Sequence, residues 1–600
     1  MAHPKTSIPK KYSALTWGAV GVALLAFIAY LPALQNGFVE WDDNRYVYEN
    51  LMLGKWNRAA WAYYWGEYVM GNWHPLTMMS LSLDKTLFGA EPWGFHFTNM
   101  IFHAFNSAGV VWIGFRLFPG TLTGIWAGAL FAVHPLHVES VAWAAERKDV
   151  LYTFFVLGSL ISWSYRKKGD YNKYYYISLL LFFLACTAKA QAVVTPVLAW
   201  LMDTWNTPAR RFQMKALLAY VPGLIISVII GIVAIDAQAE GGNIRVFHQY
   251  SIIDQFLIGA YGLFFYLYKT ILPIAQSAYY PYPIKSEAGL PFYYWLAPLV
   301  IAAIAGVIVY FGKKLPVLLL GMGCFIIAIL PVLQWLPVGE TMVSERYYYL
   351  PSIGLCILIG YGFQYLTHHK YIYYVGTILI CGLLLLTQQR TRKWADTYVL
   401  FLDVLDQFPN VPVAYNNIAN QFTADKDYRR AIAFYHTALK YRPDYPIGHH
   451  NLGNNYTHID SLNKALFHFH KFLSLKPGDT LVLHKLGTVW SKIGNQLASS
   501  GNLDSAAICF RKALVFNNAL PECYGNLGNI YAIKKEYDAA DKMFQEALRL
   551  NPGNESTLFN YGLMLYQYGQ LENAVEKIRQ AAAKGNPSAA QWLQQMGVSQ

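Results

Sequence analysis

Charged residues are scarce in this 600-residue chain. Asp, Glu, Lys and Arg make up 14% of it, hydrophobic residues make up 55%, and the mean hydropathy is +0.24. About a quarter of the residues of an ordinary soluble domain are charged, so the composition excludes a soluble single-domain protein and a disordered chain. Six cysteines, four of them within apolar runs, also exclude a secreted disulfide scaffold.

Several motifs of soluble enzymes are absent from the sequence. It contains no Walker loop, no Gly-x-Gly-x-x-Gly after a predicted strand, no Gly-x-Ser-x-Gly elbow and no Cys-x-x-Cys. These absences argue against nucleotide hydrolysis, nicotinamide chemistry and serine-hydrolase chemistry.

The charges that are present divide the chain into two parts. Residues 1–390 hold 44 charged residues (26 basic, 18 acidic), and residues 391–600 hold 38 (21 basic, 17 acidic). Only the first part has apolar runs of about 18–23 residues, the length that spans a membrane. We therefore predict an all-α protein: a polytopic membrane bundle of about eleven spanning helices over residues 1–389, then a soluble repeat domain over residues 390–600.

The excess of cations does not indicate a nucleic-acid partner. The net charge is +12, and the first part carries +8 of it (26 minus 18) in short loops between apolar runs. Such loops face the cytoplasm, which predicts a cytoplasmic N-terminus and, with an odd number of spans, an external C-terminal domain. This topology requires residues 255–272 to be re-entrant or interfacial. It rests on Lys5, Lys10, Lys11, Arg116, Arg166, Lys167, Lys168, Lys173, Arg210, Arg211, Lys215, Lys313, Lys314 and Lys370.

The acidic residues of the first part are sorted by side in this topology. Of the 18, only Asp170 and Asp203 fall on the cytoplasmic side, and the other 16 fall on the external side. Acidic residues contribute little to topology, and ionisable residues at membrane helices more often mark a functional site. The distribution favours a polar external site.

The second part is built from a repeat. Ala419, Gly453, Gly487, Gly528 and Gly562 form a column with gaps of 34, 34, 41 and 34 residues, and prolines recur at the repeat ends. A period of 34 with small residues at helix crossings is typical of tetratricopeptide repeats. We predict about five to six repeats, with residues 394–408 as part of an additional half-repeat. The stacked repeats form a curved solenoid, generally a peptide-binding surface.

The strongest candidate for chemistry is the run Glu40-Trp41-Asp42-Asp43-Asn44 after the first predicted span. Adjacent carboxylates there are compatible with a catalytic base, with a divalent-metal site or with a simple turn. His134, His137 and Glu139 have no recognised zinc spacing, and the alternative is a polar loop facing the same cavity. Arg147 or Lys148 could then bind an anionic group.

Two further bases are predicted near the external membrane surface. Lys189 lies between two apolar runs, and Arg346 lies in Ser344-Glu345-Arg346-Tyr347-Tyr348-Tyr349. They could extend to lipid headgroups or bind the phosphate of a lipid-linked donor. In either case we expect Glu345 to orient Arg346.

These motifs together resemble a known family. Trp41-Asp42-Asp43, Asn72-Trp73-His74-Pro75-Leu76-Thr77, the stretch from His134 to Asp149, the stretch from Ser344 to Pro351 and the C-terminal repeats are similar to the transmembrane and tetratricopeptide-repeat O-mannosyltransferases, most closely to bacterial members. That family is grouped with the GT-C glycosyltransferases, which use lipid-phosphate sugars.

The resemblance implies a reaction and its residues. A polyprenyl-phosphate sugar is the donor, Asp42 or Asp43 is the base, and the displacement inverts the anomeric carbon. Lys189, Arg346 and Arg147 neutralise the donor phosphate, while Trp41, His74, His137, Glu139, Asp149 and Glu345 support the cavity. The acceptor is a Ser or Thr hydroxyl of a protein presented by the solenoid. The location is the periplasmic face of a bacterial inner membrane. Neither a metal nor another cofactor is predicted.

Two alternatives remain open from the sequence. One is a non-catalytic, membrane-anchored scaffold whose repeats bind partners. The other is the same chemistry on a glycan or lipid acceptor.

Overall fold

The fold is helical nearly throughout, as predicted. The structure is a computed structural model, and it describes residues 10–166, 171–206, 217–241, 250–287, 289–335, 339–366 and 371–597. Within these residues, β1 (Tyr280–Pro281) pairs antiparallel with β2 (Thr341–Val343). The chain divides into two compact units, Met1–Val411 and Pro412–Gln600.

The first unit is a bundle of helices joined by short helical turns. Its helices are α1 (Lys10–Ala29), α2 (Arg58–Gly66), α3 (Pro75–Phe88), α4 (Pro92–Leu117), α5 (Thr123–Val133), α6 (Val138–Ala142), α7 (Arg147–Tyr165), α8 (Lys173–Ala188), α9 (Thr195–Asn206), α10 (Val221–Glu240), α11 (Ile252–Ile271), α12 (Phe292–Gly312), α13 (Val317–Ile329), α14 (Ser352–Leu366), α15 (Tyr371–Arg392) and α16 (Thr397–Gln407).

Three helices in the described ranges, α10, α12 and α15, are long and apolar enough to cross a membrane, and α1, α5, α8, α13 and α14 contain shorter apolar segments. The number of about eleven spans stays a prediction, and so does the orientation. Several basic residues on which the orientation rests lie outside the described residues: Lys5, Lys167, Lys168, Arg210, Arg211, Lys215 and Lys370. Residues 255–272 are predicted to be re-entrant or interfacial. They lie in the continuous helix α11 up to Ile271, with Leu272 as its C-cap, and whether α11 crosses the membrane is likewise untested.

Helix α7 carries two separate groups of charges at its two ends. Asp149 lies in its first turn, and Arg166, which follows its last turn, pairs with Asp203 of α9. A helix of 19 residues is about 28 Å long, close to the roughly 30 Å thickness of a bilayer's hydrocarbon core. The charges at the two ends are therefore separated by about the thickness of a membrane.

Glycines allow the bundle helices to approach one another closely. A Cβ on Gly114 of α4 would lie 2.4 Å from Cα of Gly124 in α5, and a Cβ on Gly354 of α14 would lie 2.3 Å from the carbonyl oxygen of Gly321 in α13. Small residues at such crossings are typical of helices that pack within membranes, where the hydrophobic effect does not drive helices together.

The boundary between the units lies about twenty residues after the predicted one at residues 389/390. Helix α16, which covers most of the predicted half-repeat at residues 394–408, belongs to the first unit. Asp403 of α16 pairs with Arg390 of α15 at 2.5 Å, and the Thr397 hydroxyl accepts a hydrogen bond from the Glu40 backbone N–H at 2.8 Å. These polar contacts, invisible in the repeat pattern, hold α16 to the bundle.

The second unit consists of five helical pairs and a final helix within residues 412–597. The pairs are α17 (Pro412–Ala424) and α18 (Tyr428–Tyr441), α19 (Pro446–His458) and α20 (Leu462–Leu475), α21 (Thr480–Ser499) and α22 (Leu503–Phe516), α23 (Pro521–Ile533) and α24 (Tyr537–Leu550), and α25 (Glu555–Gln567) and α26 (Leu571–Ala583), followed by α27 (Pro587–Gln595).

The structure corrects the small-residue column of the repeat. A Cβ on Gly453 would meet the ring of Phe469 at 2.5 Å, and a Cβ on Gly494 would meet the equivalent ring of Phe510 at 2.6 Å, each sixteen residues further along. Gly494, rather than Gly487, therefore occupies the column. The seven extra residues lengthen α21, which has 20 residues where α19 has 13.

We expect Gly453→Ala to destabilise the second unit by about 1–3 kcal/mol, because Phe469 is buried and cannot move away from the added methyl group. Denaturant unfolding of the full chain in detergent, followed by circular dichroism, measures the effect. Gly553→Ala is the matched control, because its Cβ would meet nothing within 4 Å. Equal midpoints for the two variants would contradict the packing argument.

Candidate active site

The loop after α1 is held by hydrogen bonds to carbonyl groups at and just beyond the end of α15. The side-chain amide of Asn36 donates to the Thr391 carbonyl at 3.0 Å, and the Gly37 N–H donates to the Ala395 carbonyl at 2.7 Å. With the bond from Glu40 to Thr397, these contacts fix the stretch of the loop that leads into the Asp42-Asp43 pair.

Asp43 is a structural residue of this loop. Its side chain is fully buried, and its two carboxylate oxygens accept from the Val39 N–H at 2.9 Å and from the Ala145 N–H at 2.8 Å. Burial raises the pKa of the Asp43 carboxyl to about 7. That pKa would suit a base, but both oxygens already bind the backbone, so Asp43 joins the first loop to the turn before α7.

Asp42 has a different environment from its neighbour. It is partly exposed, and no hydrogen bond to its carboxylate is found among the described residues. Burial raises the pKa of the Asp42 carboxyl above its ordinary range, and the nearby cations of Lys148 and Arg346 offset part of that rise. The open carboxylate of the pair is therefore Asp42.

Aromatic rings hold the segment around Asp42. Trp41 stacks on Trp143 with ring centroids 4.9 Å apart, and Trp143 packs against Trp394 at 5.4 Å. The guanidinium carbon of Arg346 lies 5.6 Å from the Trp143 ring centroid. The predicted supporting role of Trp41 stays a prediction, and its geometry places it beside the charged residues described next.

Glu146 lies at the centre of three cations. Its carboxylate is 3.1 Å from Lys148 Nζ, 3.3 Å from Arg346 Nε and 3.9 Å from Lys189 Nζ. The Glu146 side chain is 1% exposed, whereas those of Lys148, Lys189 and Arg346 are 10%, 17% and 17% exposed. The three cations thus reach the protein surface around a carboxylate that does not.

Two further buried carboxylates each form an ion pair with one of these cations. Asp149 pairs with Lys189 and also accepts from the Ser140 hydroxyl at 2.9 Å. Glu139 pairs with the Arg346 guanidinium and accepts from its backbone N–H at 3.0 Å. We call Asp42, Glu139, Glu146, Lys148, Asp149, Lys189 and Arg346 the charge cluster.

His74 lies beside the charge cluster as an uncharged side chain. Burial and the charge of Lys148 lower the pKa of its imidazole to about 3. The ring stacks on Tyr46 at 5.4 Å, and Nε2 has no hydrogen-bond partner within the described chain. His74 therefore places a buried imidazole nitrogen, unpaired within the described residues, near Lys148 and Lys189.

Arg147 is placed apart from these cations. Its side chain is fully buried, and its guanidinium binds Asn99 at 2.5 Å, Ser80 at 2.8 Å and Asp84 at 2.5 Å. These contacts join α7 to α3 and α4. The neighbouring Lys148, and not Arg147, therefore contributes its side chain to the charge cluster. The first turn of α7 directs the two adjacent side chains to different sides.

Glu345 does not orient Arg346, contrary to expectation. Its buried carboxylate accepts from the Tyr280 hydroxyl at 2.7 Å and lies 4.0 Å from Arg390. Adjacent residues in a helical turn do not face one another, so Glu139, distant in sequence, pairs with Arg346 instead. His137 is also buried, between the Phe131 carbonyl at 2.8 Å and the Ser352 hydroxyl at 2.9 Å.

Among the described side chains, no group of three or more His, Cys, Asp or Glu residues has the geometry to hold a metal ion. The sequence contained a signal for Glu146, which received no role there, and for Lys148, which was named only as an alternative to Arg147. Both lie in the same acidic and basic run as Arg147 and Asp149. What it could not show is which members of that run converge.

Comparison with known proteins points to one group of relatives. Human protein O-mannosyl-transferase TMTC3 is 24% identical over 61% of this chain and 44% of its own length. Human TMTC4 is 24% identical over 70% of this chain and 66% of its own length. Fruit-fly Tmtc2 is 32% identical over 30% of this chain and 21% of its own length. The chain is a relative of the TMTC proteins.

The resemblance inferred from the motifs is thereby confirmed, whereas the placement among bacterial members stays a prediction. The matched region covers less than half the length of TMTC3. Residues 521–554 match the tetratricopeptide repeat, so the predicted repeat type is confirmed. A solved structure described as YrrB, a TPR protein with an unusual peptide-binding site, is 21% identical over 32% of this chain and 97% of its own, with a TM-score of 0.26.

We expect Asp43→Asn to lower the free energy of unfolding of this TMTC relative by about 1–3 kcal/mol, because an amide nitrogen would then face one of two backbone donors. Thermal unfolding in detergent measures the change. Asp42→Asn is the matched control, since it removes no hydrogen bond seen in the described chain. A stable Asp43→Asn variant would contradict the structural role.

Proposed function

We propose that this protein transfers a sugar from a polyprenyl-phosphate donor to a hydroxyl group of a protein. The observation that carries the proposal is the charge cluster, in which Lys148, Lys189 and Arg346 surround Glu146 next to the open carboxylate of Asp42. The printed names of the relatives, protein O-mannosyl-transferases, support the reaction class and make mannose the first sugar to test.

The three cations are suited to bind the donor phosphate. Their buried partners hold Lys189 and Arg346 in place before any substrate arrives, so little reorganisation is needed when charge develops. As the bond between the anomeric carbon and the phosphate oxygen breaks, its electron pair goes to the phosphate. Lys148, Lys189 and Arg346 stabilise that negative charge.

Asp42 is suited to act as the base. The acceptor oxygen attacks the anomeric carbon from the side opposite the phosphate, and its proton passes to the Asp42 carboxylate. The configuration inverts because there is a single displacement. Neutral His74, near Lys148 and Lys189, supports the cavity without competing with these cations for the phosphate.

We place the first unit in a bacterial inner membrane, with about eleven spans, a cytoplasmic N-terminus and the charge cluster on the periplasmic side. The separation of the two charge groups along α7 supports a membrane placement. The second unit then lies in the periplasm and presents the acceptor, a Ser or Thr hydroxyl.

We expect Asp42→Asn to reduce sugar transfer about 10²- to 10⁴-fold, the usual contribution of general-base catalysis. Purified protein, polyprenyl-phosphate mannose and a Ser/Thr-containing protein acceptor form the assay. Glu49→Gln, an exposed carboxylate of the same loop, is the matched control and should retain transfer. Full transfer by Asp42→Asn would rule out this base, and no transfer by the unmodified protein would favour the scaffold alternative.

We expect Lys148→Gln to move the acidic limb of the pH–rate profile to higher pH. The Lys148 ammonium lowers the pKa of the Asp42 carboxyl, so its removal raises that pKa, and Asp42 stays protonated up to a higher pH. Rates measured from about pH 4 to pH 9 locate the limb. Lys55→Gln, which removes an exposed charge, should leave it unmoved. An unmoved limb in Lys148→Gln would contradict the assignment of Asp42 as base.

A further inference from the structure

Three consecutive tyrosines, Tyr347, Tyr348 and Tyr349, lie just before α14, and their side chains have different environments. Tyr348 and Tyr349 are fully buried. The Tyr348 hydroxyl accepts from the Thr270 hydroxyl at 2.8 Å, and the Tyr349 hydroxyl lies 2.7 Å from Nδ1 of His103. Tyr347 is only partly buried, at the edge of the same apolar core, and no hydrogen bond to its hydroxyl is found among the described residues. Core packing therefore accounts for two of the three rings.

The Tyr347 ring contacts two cations of the charge cluster. The Lys189 ammonium lies 5.7 Å from the ring centroid, and the guanidinium carbon of Arg346 lies 5.2 Å from it. A cation within about 6 Å of an aromatic ring is attracted by the ring's quadrupole. Glu146 contacts the same two cations but is buried. The two cations are therefore held jointly by a buried carboxylate and by a ring that is partly exposed.

Each of the three cations also has a buried aromatic ring of its own. Measured from the cation to the ring centroid, the pairs are Lys148 and Tyr46 at 5.0 Å, Lys189 and Tyr152 at 5.8 Å, and Arg346 and Trp143 at 5.6 Å. Each of these rings contacts a single cation of the cluster. Among the described side chains, Tyr347 alone contacts two of them. It therefore joins two cations that belong to distant segments of the chain.

We propose that Tyr347 is a positioning residue whose ring keeps Lys189 and Arg346 close enough together to bind one phosphate, that of the polyprenyl-phosphate donor if the proposed function holds. Asp149 and Glu139 each attract one of these cations from the buried side, and the two like charges repel each other. Without the ring, each cation would turn toward its own carboxylate and away from the phosphate.

An aromatic ring is suited to this task because it carries no net charge. A further carboxylate on the exposed side would hold the two cations more strongly, but its negative charge would also repel the phosphate. A ring attracts cations through its quadrupole alone. Tyr347 therefore stabilises the positions of Lys189 and Arg346 without adding a negative charge at the place where the phosphate binds.

Calorimetric titration of the full-length protein in detergent tests the inference. The probes are a short-chain polyprenyl phosphate without sugar and the uncharged polyprenol of the same length. We expect Tyr347→Leu to weaken binding of the phosphate about 5- to 30-fold, the strength of two cation–π contacts, and to leave polyprenol binding unchanged. Tyr347→Phe keeps the ring and should bind like the unmodified protein. The matched control is Tyr310→Leu, which removes a ring 5.9 Å from Lys314, outside the charge cluster.

A second pair of variants keeps the test decisive if Tyr347→Leu fails to fold. Tyr347→pentafluorophenylalanine, introduced by an expanded genetic code, has nearly the shape of Tyr347→Phe, but fluorination reverses the charge distribution of the ring. Since the attraction of a cation depends on the negative face of the ring, the fluorinated variant should bind polyprenyl phosphate more weakly than Tyr347→Phe. Equal affinities would show that the ring only fills space, and would overturn the inference.

Unchanged affinity of Tyr347→Leu for polyprenyl phosphate would also overturn the inference. Equal weakening of phosphate and polyprenol binding would do the same by indicating lost packing, and so would a Tyr347→Phe variant as weak as Tyr347→Leu, which would assign the effect to the hydroxyl. Phosphate binding that depends on the ring, without any sugar transfer by the unmodified protein, would support the positioning role and defeat the proposed function. Sugar transfer with unchanged phosphate affinity in folded Tyr347→Leu would do the reverse.

Discussion

The site depends on the burial of Glu146 among three cations. A lone carboxylate in that position would cost several kcal/mol to desolvate, and each lone cation would cost a similar amount. Together, Lys148, Lys189 and Arg346 compensate Glu146, while Asp149 and Glu139 compensate the two cations that come from other segments. The site is therefore formed only when those segments are packed.

Those segments come from distant parts of the chain. Lys148 lies in the first turn of α7, Lys189 directly follows α8, and Arg346 lies in the turn before α14. The close glycine contact between α13 and α14 and the loop held by Asp43 position the same residues. Packing of the apolar helices and pairing of the buried charges therefore depend on each other. A helix that shifted would leave a buried charge unpaired, and an unpaired charge would oppose the packing of its helix.

The sequence sufficed to predict the all-α fold, the repeat and the segments that form the site, because apolar periodicity and a 34-residue spacing are local properties. It did not distinguish neighbours of the same chemical type. Asp42 and Asp43 are both carboxylates after one predicted helix, yet only Asp43 binds two backbone donors. Arg147 and Lys148 are adjacent cations, yet Arg147 binds Asp84 while Lys148 belongs to the charge cluster. Glu345 accepts a hydrogen bond from Tyr280 and does not pair with the adjacent Arg346. Which of two adjacent side chains turns inward is decided by distant partners.

The charge balance of the cluster fits the proposed reaction. Lys148, Lys189 and Arg346 offset Glu139, Glu146 and Asp149, which leaves the charge of Asp42 uncompensated within the cluster. A phosphodiester donor brings one negative charge. During transfer the phosphate gains a second charge while Asp42 gains the acceptor's proton, so the total charge of the site is unchanged. The cations therefore do not have to absorb a new charge. They have to favour its movement from Asp42 to the phosphate, and cations fixed near both positions are suited to that.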